Sequence, residues 1–359
     1  MTVDPEKLLL YLLAGVTAFA EKDFRYPYPE TLIRARGLFF GAAIENERPA
    51  HQSMSQFLQM IQQPVGTWWP LKELPENLEP EFVLFSPGCQ LLDFAMDWLM
   101  EGDRHGQLAN VNDVEALAAN RYIAEICQQM SGNPSMQADY VEFRRFLIEH
   151  PWLDAGIGLS VIPPNVLALM QDTKRYYERV ASPNLVRKNR CWQCPRCKGV
   201  LTWINDQPVC ANGLCNRLVN MEEVEAIPGN DILALRMVFR RRVQLPGLPE
   251  LELYKQFLSM GGLNVDLWPD GDRYDLRIET PANAWQVDVK DYAEPRALAA
   301  YLRTQIPFVG GAPITYVVPS YRDMLLPGYT RQLREMAPGF TILSDDELIE
   351  RVQAECEAR

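Results

Sequence analysis

The sequence predicts a multidomain protein that combines a helical N-terminal region, a cysteine-rich module and a C-terminal α/β domain with a central mixed sheet. A length of 359 residues is enough for two or three domains. Five of the eight cysteines fall between residues 191 and 215, which marks a separate small module. Beyond Gly247, helical and strand patterns alternate as they do in α/β domains. We place the domains at residues 1–183, 184–227 and 228–359.

The helical region begins with the apolar run Leu8–Leu13, for which Asp4 is a suitable N-cap and Pro5 a suitable first-turn residue. Apolar residues return at helical spacing in five further segments, at residues 30–44, 88–100, 112–130, 138–149 and 164–180. No histidine pair in this half has ligand spacing. The region is therefore expected to bind a partner or to serve as a scaffold.

Charge is distributed unevenly along the chain. The net charge is −12, yet residues 184–242 carry 10 basic and 5 acidic side chains. A basic segment of this kind can dock a polyanion, although a solvated surface would show the same pattern. No run reaches the roughly 18 apolar residues of a membrane span. The acidic N-terminus leads directly into an amphipathic helix, unlike a secretory signal, so we expect a cytoplasmic protein that does not enter a membrane.

The cysteine-rich module contains two pairs of thiols that could share one metal ion. Cys194 and Cys197 are separated by two residues, Cys210 and Cys215 by four, and a predicted hairpin connects the pairs. Four thiolates in a tetrahedron are typical of structural Zn²⁺, and the pattern resembles a zinc ribbon. Gly199 is expected to permit the tight turn after the first pair. Cys191 also stands two residues before Cys194, so it remains an alternative ligand.

Basic residues surround this module and continue into a predicted helix at residues 232–239. They favour contact with DNA phosphates, although a purely structural zinc module remains the alternative. The predicted DNA contacts are Arg187, Lys188, Arg190, Arg196, Lys198, Arg240, Arg241 and Arg242.

Two predicted strands carry the residues that indicate which reaction the protein catalyses. Asp275 lies in Tyr-Asp-Leu-Arg-Ile, and Asp288-Val289-Lys290 lies in Trp-Gln-Val-Asp-Val-Lys. Because side chains alternate along a strand, Asp288 and Lys290 leave the same face and Val289 faces the core. Two carboxylates suit a hard divalent cation such as Mg²⁺ or Mn²⁺, and a neighbouring lysine can orient or activate an attacking water.

Residues 247–345 resemble the PD-(D/E)xK, or restriction-endonuclease-like, nucleases. The predicted order is helix 249–260, strands around Asp275 and at 284–290, helix 294–303, strand 314–318 and a helix at 345–357. The resemblance implies that Asp275 and Asp288 bind catalytic Mg²⁺ or Mn²⁺ and that Lys290 assists hydrolysis of DNA. Many such nucleases add an acidic residue from the preceding helix.

Helical phase selects Glu250 over Glu252 for that role. At 100° per residue, Glu250 shares an inward side with Tyr254, Phe257 and Leu258. Glu250 also falls in the first turn of the predicted helix, where an acid could instead act as a cap. Pro269-Asp270-Gly271-Asp272 reads as a turn.

The segment Leu-Trp-Pro-Asp-Gly-Asp-Arg-Tyr-Asp-Leu, followed by Gln-Val-Asp-Val-Lys, most resembles the endonucleases associated with prokaryotic PIWI (pPIWI-RE) defence modules. The resemblance implies an antiphage endonuclease with a helicase and an Argonaute-like protein as partners; a homodimer is also open. The alternative is a non-catalytic adaptor that binds nucleic acid through a decayed nuclease fold.

Overall fold

The computed structural model describes residues 3–21, 26–48, 53–75, 78–85, 126, 134–156, 158–180, 185–186, 190–204, 206–222, 224–227, 231–303, 305, 308–309 and 312–357. The chain forms two compact units, residues 1–118 with 292–303 and residues 119–291 with 304–359. The helices predicted at 88–100 and 112–130 lie outside the described residues, apart from helical residue 126. Within the described ranges, no helix has the length and apolar character needed to cross a membrane.

The structure is half helical, with a mixed sheet towards the C-terminus. In chain order the described helices are α1 (Pro5–Glu21), α2 (Glu30–Glu45), α3 (Met54–Met60), α4 (Val65–Trp68), α5 (Pro134–Glu149), α6 (Pro164–Met170), α7 (Gly213–Leu218), α8 (Met237–Phe239), α9 (Leu245–Met260), α10 (Pro295–Arg303), α11 (Tyr321–Leu325), α12 (Tyr329–Met336) and α13 (Asp345–Glu357). Short 3-10 helices cover Gly158–Val161 and Thr173–Arg175, and a π-helical segment, Arg240–Gln244, joins α8 to α9. The strands are β1 (Trp152–Asp154), β2 (Tyr177–Arg179), β3 (Trp192–Gln193), β4 (Thr202–Ile204), β5 (Gln207–Val209), β6 (Glu225–Ala226), β7 (Ile232–Leu235), β8 (Asn264–Leu267), β9 (Leu276–Glu279), β10 (Ala284–Val289), β11 (Phe308–Val309), β12 (Ala312–Val318) and β13 (Thr341–Ser344).

The first unit is helical, as the N-terminal sequence predicts. Helix α1 is apolar nearly all round, and its residues 8–13 are no more than 1% exposed. Its N-terminus is capped by Asp4, whose carboxylate accepts the backbone N–H of Glu6 at 2.9 Å. Helices α1 and α2 cross so closely that a Cβ on Gly15 would lie 2.6 Å from Cα of Leu32. Glycine is therefore required for this crossing.

Two helix predictions are wrong in part, at residues 232–235 of the helix predicted at 232–239 and at residues 171–180 of the helix predicted at 164–180. Residues 232–235 form strand β7, which pairs antiparallel with β1 and β2 in a three-stranded sheet. The helix predicted at 164–180 ends at Met170 and is followed by strand β2. Both strands are only three or four residues long, and the run Ile232–Leu235 is apolar throughout, so periodicity alone does not separate a strand from a helix in such short segments.

The larger sheet lies in the second unit and has the order β11-β12-β10-β9-β8, and β13 also pairs with β12. Strand β10 pairs antiparallel with β9 and parallel with β12, and β12 pairs parallel with β13. The sheet is therefore mixed, as predicted. Strand β8 was not anticipated, because its alternation of polar and apolar residues covers only four positions, too few to stand out in the sequence.

The core of the second unit includes a helix from far upstream. Phe143 and Leu147 of α5 belong to the same buried cluster as Phe257 of α9, Val287 of β10 and Leu343 of β13. Residues 134–149, which the sequence assigns to the helical N-terminal region, are thus part of the unit that contains the mixed sheet. The division into three domains remains a prediction.

Candidate functional sites

The register of β9 and β10 brings the two predicted carboxylates together. Leu276 pairs with Val287, and Asp275 and Asp288 are the residues that flank this pair at adjoining strand ends. The backbone N–H of Asp275 donates to the carbonyl of Val287 at 2.9 Å. One carboxylate oxygen of Asp275, Oδ2, accepts the N–H of Val289 at 2.6 Å. Both aspartates are buried, at 7% and 9% exposure.

Lys290 completes this group. Its Nζ lies 2.6 Å from Oδ1 of Asp288, and both side chains are largely buried. Its backbone N–H donates to Val317 of β12 at 2.8 Å, which extends the parallel pairing by one residue. The contact agrees with the two-residue spacing from which the sequence placed Asp288 and Lys290 on one face.

Glu250 points into the same part of the molecule from α9. It is 4% exposed, whereas Glu252 is exposed. Its Oε2 accepts Nε1–H of Trp268 at 2.6 Å and a guanidinium N–H of Arg144 at 2.8 Å. Helix α9 begins at Leu245, so Glu250 lies inside the helix and does not cap it.

The helical phase used to choose Glu250 is only partly correct. Phe257 is fully buried, as expected, but Leu258 is 49% exposed. The buried face of α9 predicted at 100° per residue was therefore too wide, and Leu258 lies at its outer edge.

The buried acids carry perturbed pKa values. Burial raises the pKa of Glu250 from 4.5 to about 7, although Arg144 opposes the shift. Burial, together with the charges of Glu250 and Asp288, raises the pKa of Asp275 well above its ordinary value. Asp275 therefore lies within electrostatic range of both Glu250 and Asp288. Among the described residues, however, the carboxylates do not bring three ligand atoms within 4.8 Å of one another, and only four thiols do so.

Three residues of this neighbourhood were missed by sequence reasoning, namely Arg144, Tyr140 and Trp268. Asp272, which the sequence assigns only to a turn, accepts a hydrogen bond from Tyr140 at 2.6 Å and pairs with Arg144. The turn itself is confirmed, since Asp270, Gly271 and Asp272 all have positive φ. One feature of the sequence could have indicated Arg144, because it is a charged residue on the apolar face of a predicted helix.

The second candidate site consists of the four predicted zinc ligands. The sulfur atoms of Cys194, Cys197, Cys210 and Cys215 lie within 4.8 Å of one another, and all four residues are buried. Cys191 does not belong to this group and packs instead beside Val200, Ile227 and Ile232. Of the alternatives left open by the sequence, the pair that converges with Cys210 and Cys215 is thus Cys194 and Cys197.

Local structure explains how the thiols converge. Strands β4 and β5 form the expected hairpin, with Trp203 opposite Pro208. Cys210 directly follows β5, and Cys215 lies in α7. Hydrogen bonds with the other thiols hold the pKa of Cys197 well below its ordinary value, and the charge of Arg240 lowers it further. A buried set of four thiols with one already favoured as thiolate suits a soft tetrahedral ion, so the group could hold zinc.

The turn after the first thiol pair differs from expectation. Lys198, not Gly199, adopts the left-handed conformation, with φ of 56°. Gly199 is needed for a different reason, because a Cβ there would lie 2.2 Å from Nη2 of Arg240. That nitrogen donates to Sγ of Cys197 at 3.3 Å, while Gln244 donates to the carbonyl of Cys197 at 2.6 Å.

The predicted DNA contacts have different surroundings. Arg190 and Lys198 are exposed, and Arg241 and Arg242 are partly exposed. Arg240 is 4% exposed and faces Cys197, in contrast to the surface position that a phosphate contact requires. Arg187 and Lys188 lie outside the described residues.

Arg196 links the thiol group to the end of the strand that carries Lys290. Its guanidinium donates to the hydroxyl of Tyr321 at 3.0 Å. That hydroxyl donates to Oδ2 of Asp291 at 2.7 Å, and Asp291 also pairs with Arg322 at 2.6 Å. A continuous chain of hydrogen bonds therefore connects the cysteine module to the residue after Lys290.

Comparison with known families gives two matches. Residues 247–359 match a family model described as "REase associating with pPIWI_RE". Residues 12–154 match a model described as "pPIWI_RE three-gene island domain Y". No curated protein and no solved structure matches the chain. The two matches together identify the chain as a pPIWI-RE defence-module protein that carries the REase-associated domain of that module.

Proposed function

We propose that the protein is a metal-dependent DNA endonuclease of the pPIWI-RE defence module, with a restriction-endonuclease-like catalytic domain. The observation that carries the proposal is the arrangement of Asp275, Asp288 and Lys290 at the adjoining ends of two paired strands. The REase description of the matched family favours the same activity. We further propose that the protein acts with the PIWI-type protein of the module.

The donor set fits a hard divalent cation. Val289 occupies only Oδ2 of Asp275, and Lys290 occupies only Oδ1 of Asp288. Each aspartate therefore keeps one carboxylate oxygen without a protein partner in the described part of the chain. Asp275 and Asp288 would hold Mg²⁺ or Mn²⁺, and Glu250 would contribute a third carboxylate. When bound, the cation would polarise the scissile phosphate and lower the pKa of an attacking water.

Lys290 has two tasks in this proposal. Its ammonium group neutralises Asp288 while the site is free of substrate, because the two groups are in direct contact. With Asp288 bound to a cation, Lys290 would orient the attacking water and stabilise negative charge that develops on the phosphate. Burial of the pair strengthens both interactions, because little water competes for them.

The cysteine module would supply a means of holding DNA. We propose that Zn²⁺ bound by the four thiols shapes the module and that exposed Arg190 and Lys198 contact phosphates, together with Arg241 and Arg242. Each such contact is expected to make binding weaker as the salt concentration rises. Arg196, which binds Tyr321, is better placed to fix the module than to contact DNA.

The non-catalytic adaptor remains the second candidate. One observation favours it: the acidic ligand atoms of the proposed site do not converge to within 4.8 Å among the described residues. In that case, the carboxylates would serve only the fold through their hydrogen bonds and ion pairs, and the protein would bind DNA without cleaving it.

Plasmid cleavage separates the two candidates. Zinc-loaded full chain, alone and with the PIWI-type partner, is incubated with supercoiled plasmid and Mg²⁺ or Mn²⁺. Asp288→Asn and Lys290→Met are expected to lower the cleavage rate by about 100-fold or more. Lys255→Met is the matched control, since Lys255 is an exposed lysine that pairs with Glu149 on the surface. Equal cleavage by both site variants and wild type would overturn the assignment of Asp288 and Lys290 to the catalytic site. DNA binding without cleavage under every condition would favour the adaptor.

A further inference from the structure

Helix α5 holds the turn that borders the proposed nuclease site. Gln137 donates to the carbonyl of Trp268 at 2.7 Å and accepts the N–H of Gly271 at 3.1 Å. Tyr140, nearly one turn later, donates to Oδ2 of Asp272 at 2.6 Å. Arg144, one further turn along the same face, pairs with that same oxygen. Three side chains from one face of α5 thus hold residues 268–272 in place.

Arg144 also reaches the acidic site itself. Its second terminal nitrogen lies 2.8 Å from Oε2 of Glu250, and its guanidinium carbon lies 4.3 Å from the centre of the Trp268 ring. Trp268 Nε1–H donates to the same oxygen of Glu250 at 2.6 Å. Two donors on one oxygen fix the orientation of the Glu250 carboxylate and leave Oε1 without a partner among the described residues.

The planar fork of arginine suits this position better than a point charge would. One nitrogen binds Glu250, another binds Asp272, and the flat face stacks on Trp268. A lysine ammonium could satisfy one carboxylate but could not bridge both while stacking. The guanidinium thus fixes α9 and the turn before β9 relative to each other.

We propose that Arg144 is a positioning residue of the nuclease site. It holds the carboxylate of Glu250 where it can join Asp275 and Asp288 in binding the divalent cation. This inference rests on the proposed nuclease function. It places a determinant of the site more than 100 residues upstream of the REase-associated match, within the residues that match domain Y.

The charge of Arg144 and its positioning role predict opposite changes in metal affinity when Arg144 is removed. Arg144 is a cation near the place of a second cation, so its charge alone would weaken the binding of Mn²⁺. If charge were its whole effect, removal of Arg144 would strengthen that binding. If position dominates, removal releases Glu250 and binding becomes weaker by about tenfold or more, the usual cost of losing a residue that orients a ligand.

The experiment measures Mn²⁺ affinity of zinc-loaded full chain by the electron paramagnetic resonance signal of free Mn²⁺. Arg144→Lys keeps the charge and loses the fork, and it is expected to weaken Mn²⁺ binding by about tenfold. Arg145→Met is the matched control and should bind as wild type does, because Arg145 is a neighbour on the same helix, 43% exposed, that pairs only loosely with Glu149 at 3.6 Å. Unchanged or tighter binding by Arg144→Lys would overturn the proposal.

A second variant keeps the test sharp if Arg144→Lys fails to fold. Trp268→Phe keeps an aromatic, though smaller, ring and removes the other donor to Oε2 of Glu250, so it should also weaken Mn²⁺ binding. If wild type binds Mn²⁺ but never cleaves DNA, and Asp288→Asn loses that binding, the nuclease is rejected but the positioning role is left intact. A wild-type protein that binds no Mn²⁺ would reject both.

Discussion

Replacement of Gly199 by alanine is expected to damage the cysteine module. A Cβ at this position would lie 2.2 Å from Nη2 and 2.4 Å from Cζ of Arg240. An exposed arginine would simply swing away. Arg240, however, is 4% exposed and donates to Sγ of Cys197 at 3.3 Å. Its guanidinium can move only by giving up that hydrogen bond.

The size of the effect follows from these contacts. Loss of a hydrogen bond that involves a charged group costs about 1.5–3 kcal/mol, and overpacking adds about 1 kcal/mol. The lower chain entropy of alanine in the unfolded state offsets about 0.4–1 kcal/mol. No backbone strain is added, because φ of Gly199 is not positive. A net loss of about 2–3 kcal/mol remains, which corresponds to about 30- to 150-fold weaker zinc binding if metal and module fold together.

Competition with a chromogenic chelator measures this change, with the thermal unfolding midpoint as a second readout. Gly339→Ala is the control, since a Cβ on Gly339 would meet nothing within 4 Å. Zinc affinity of Gly199→Ala equal to that of wild type would refute the proposed role of Arg240 at Cys197.

Three further outcomes are expected in chemical denaturation. Gly15→Ala should destabilise the first unit by about 1–3 kcal/mol because its Cβ meets the Leu32 backbone, whereas Gly37→Ala, in open space on α2, should stabilise by about 0.5–1 kcal/mol; equal effects would contradict the close crossing. Burial raises the pKa of Glu250 to about 7, so the unfolded state loses this proton first as pH rises. About 3 kcal/mol of stability that is present below pH 4.5 is therefore lost as the pH rises through 7. Glu250→Gln should lack this part of the loss, and an unchanged dependence of stability on pH in this variant would argue against the shift. Tyr321→Phe should cost about 2 kcal/mol by breaking the link from Arg196 to Asp291, and a wild-type midpoint would show that the link contributes nothing.

The proposed catalytic group and the group of four thiols could be predicted from the sequence because each depends on the spacing of residues that are close together in the chain. Alternation along one strand placed Lys290 beside Asp288, and the observed contact of 2.6 Å agrees. Pair spacing likewise predicted the four thiols that converge. Cys191 could not be excluded from spacing alone, because its exclusion depends on where β3 begins and what it packs against.

What the sequence did not reveal depends on contacts between distant segments. Arg144 lies more than 100 residues before Glu250 and Asp272, and no local pattern relates them. The same limitation applies to Arg240, which was predicted from charge alone to contact DNA but is buried against Cys197. The run Ile232–Leu235 became a strand because β1 and β2 were available to pair with it, which overrides a weak helical pattern.

The most direct test of the central claim is the stoichiometry of Mn²⁺ bound to zinc-loaded protein, measured for wild type and for the Asp275→Asn, Asp288→Asn double variant. Asp275 and Asp288 are the carboxylates that the paired strands bring together, so wild type should bind Mn²⁺ at a site that the double variant lacks. The zinc content should be the same in both proteins, because the double variant leaves the four thiols that would hold zinc unchanged. Mn²⁺ binding by the double variant with wild-type stoichiometry and affinity would contradict the proposed catalytic site.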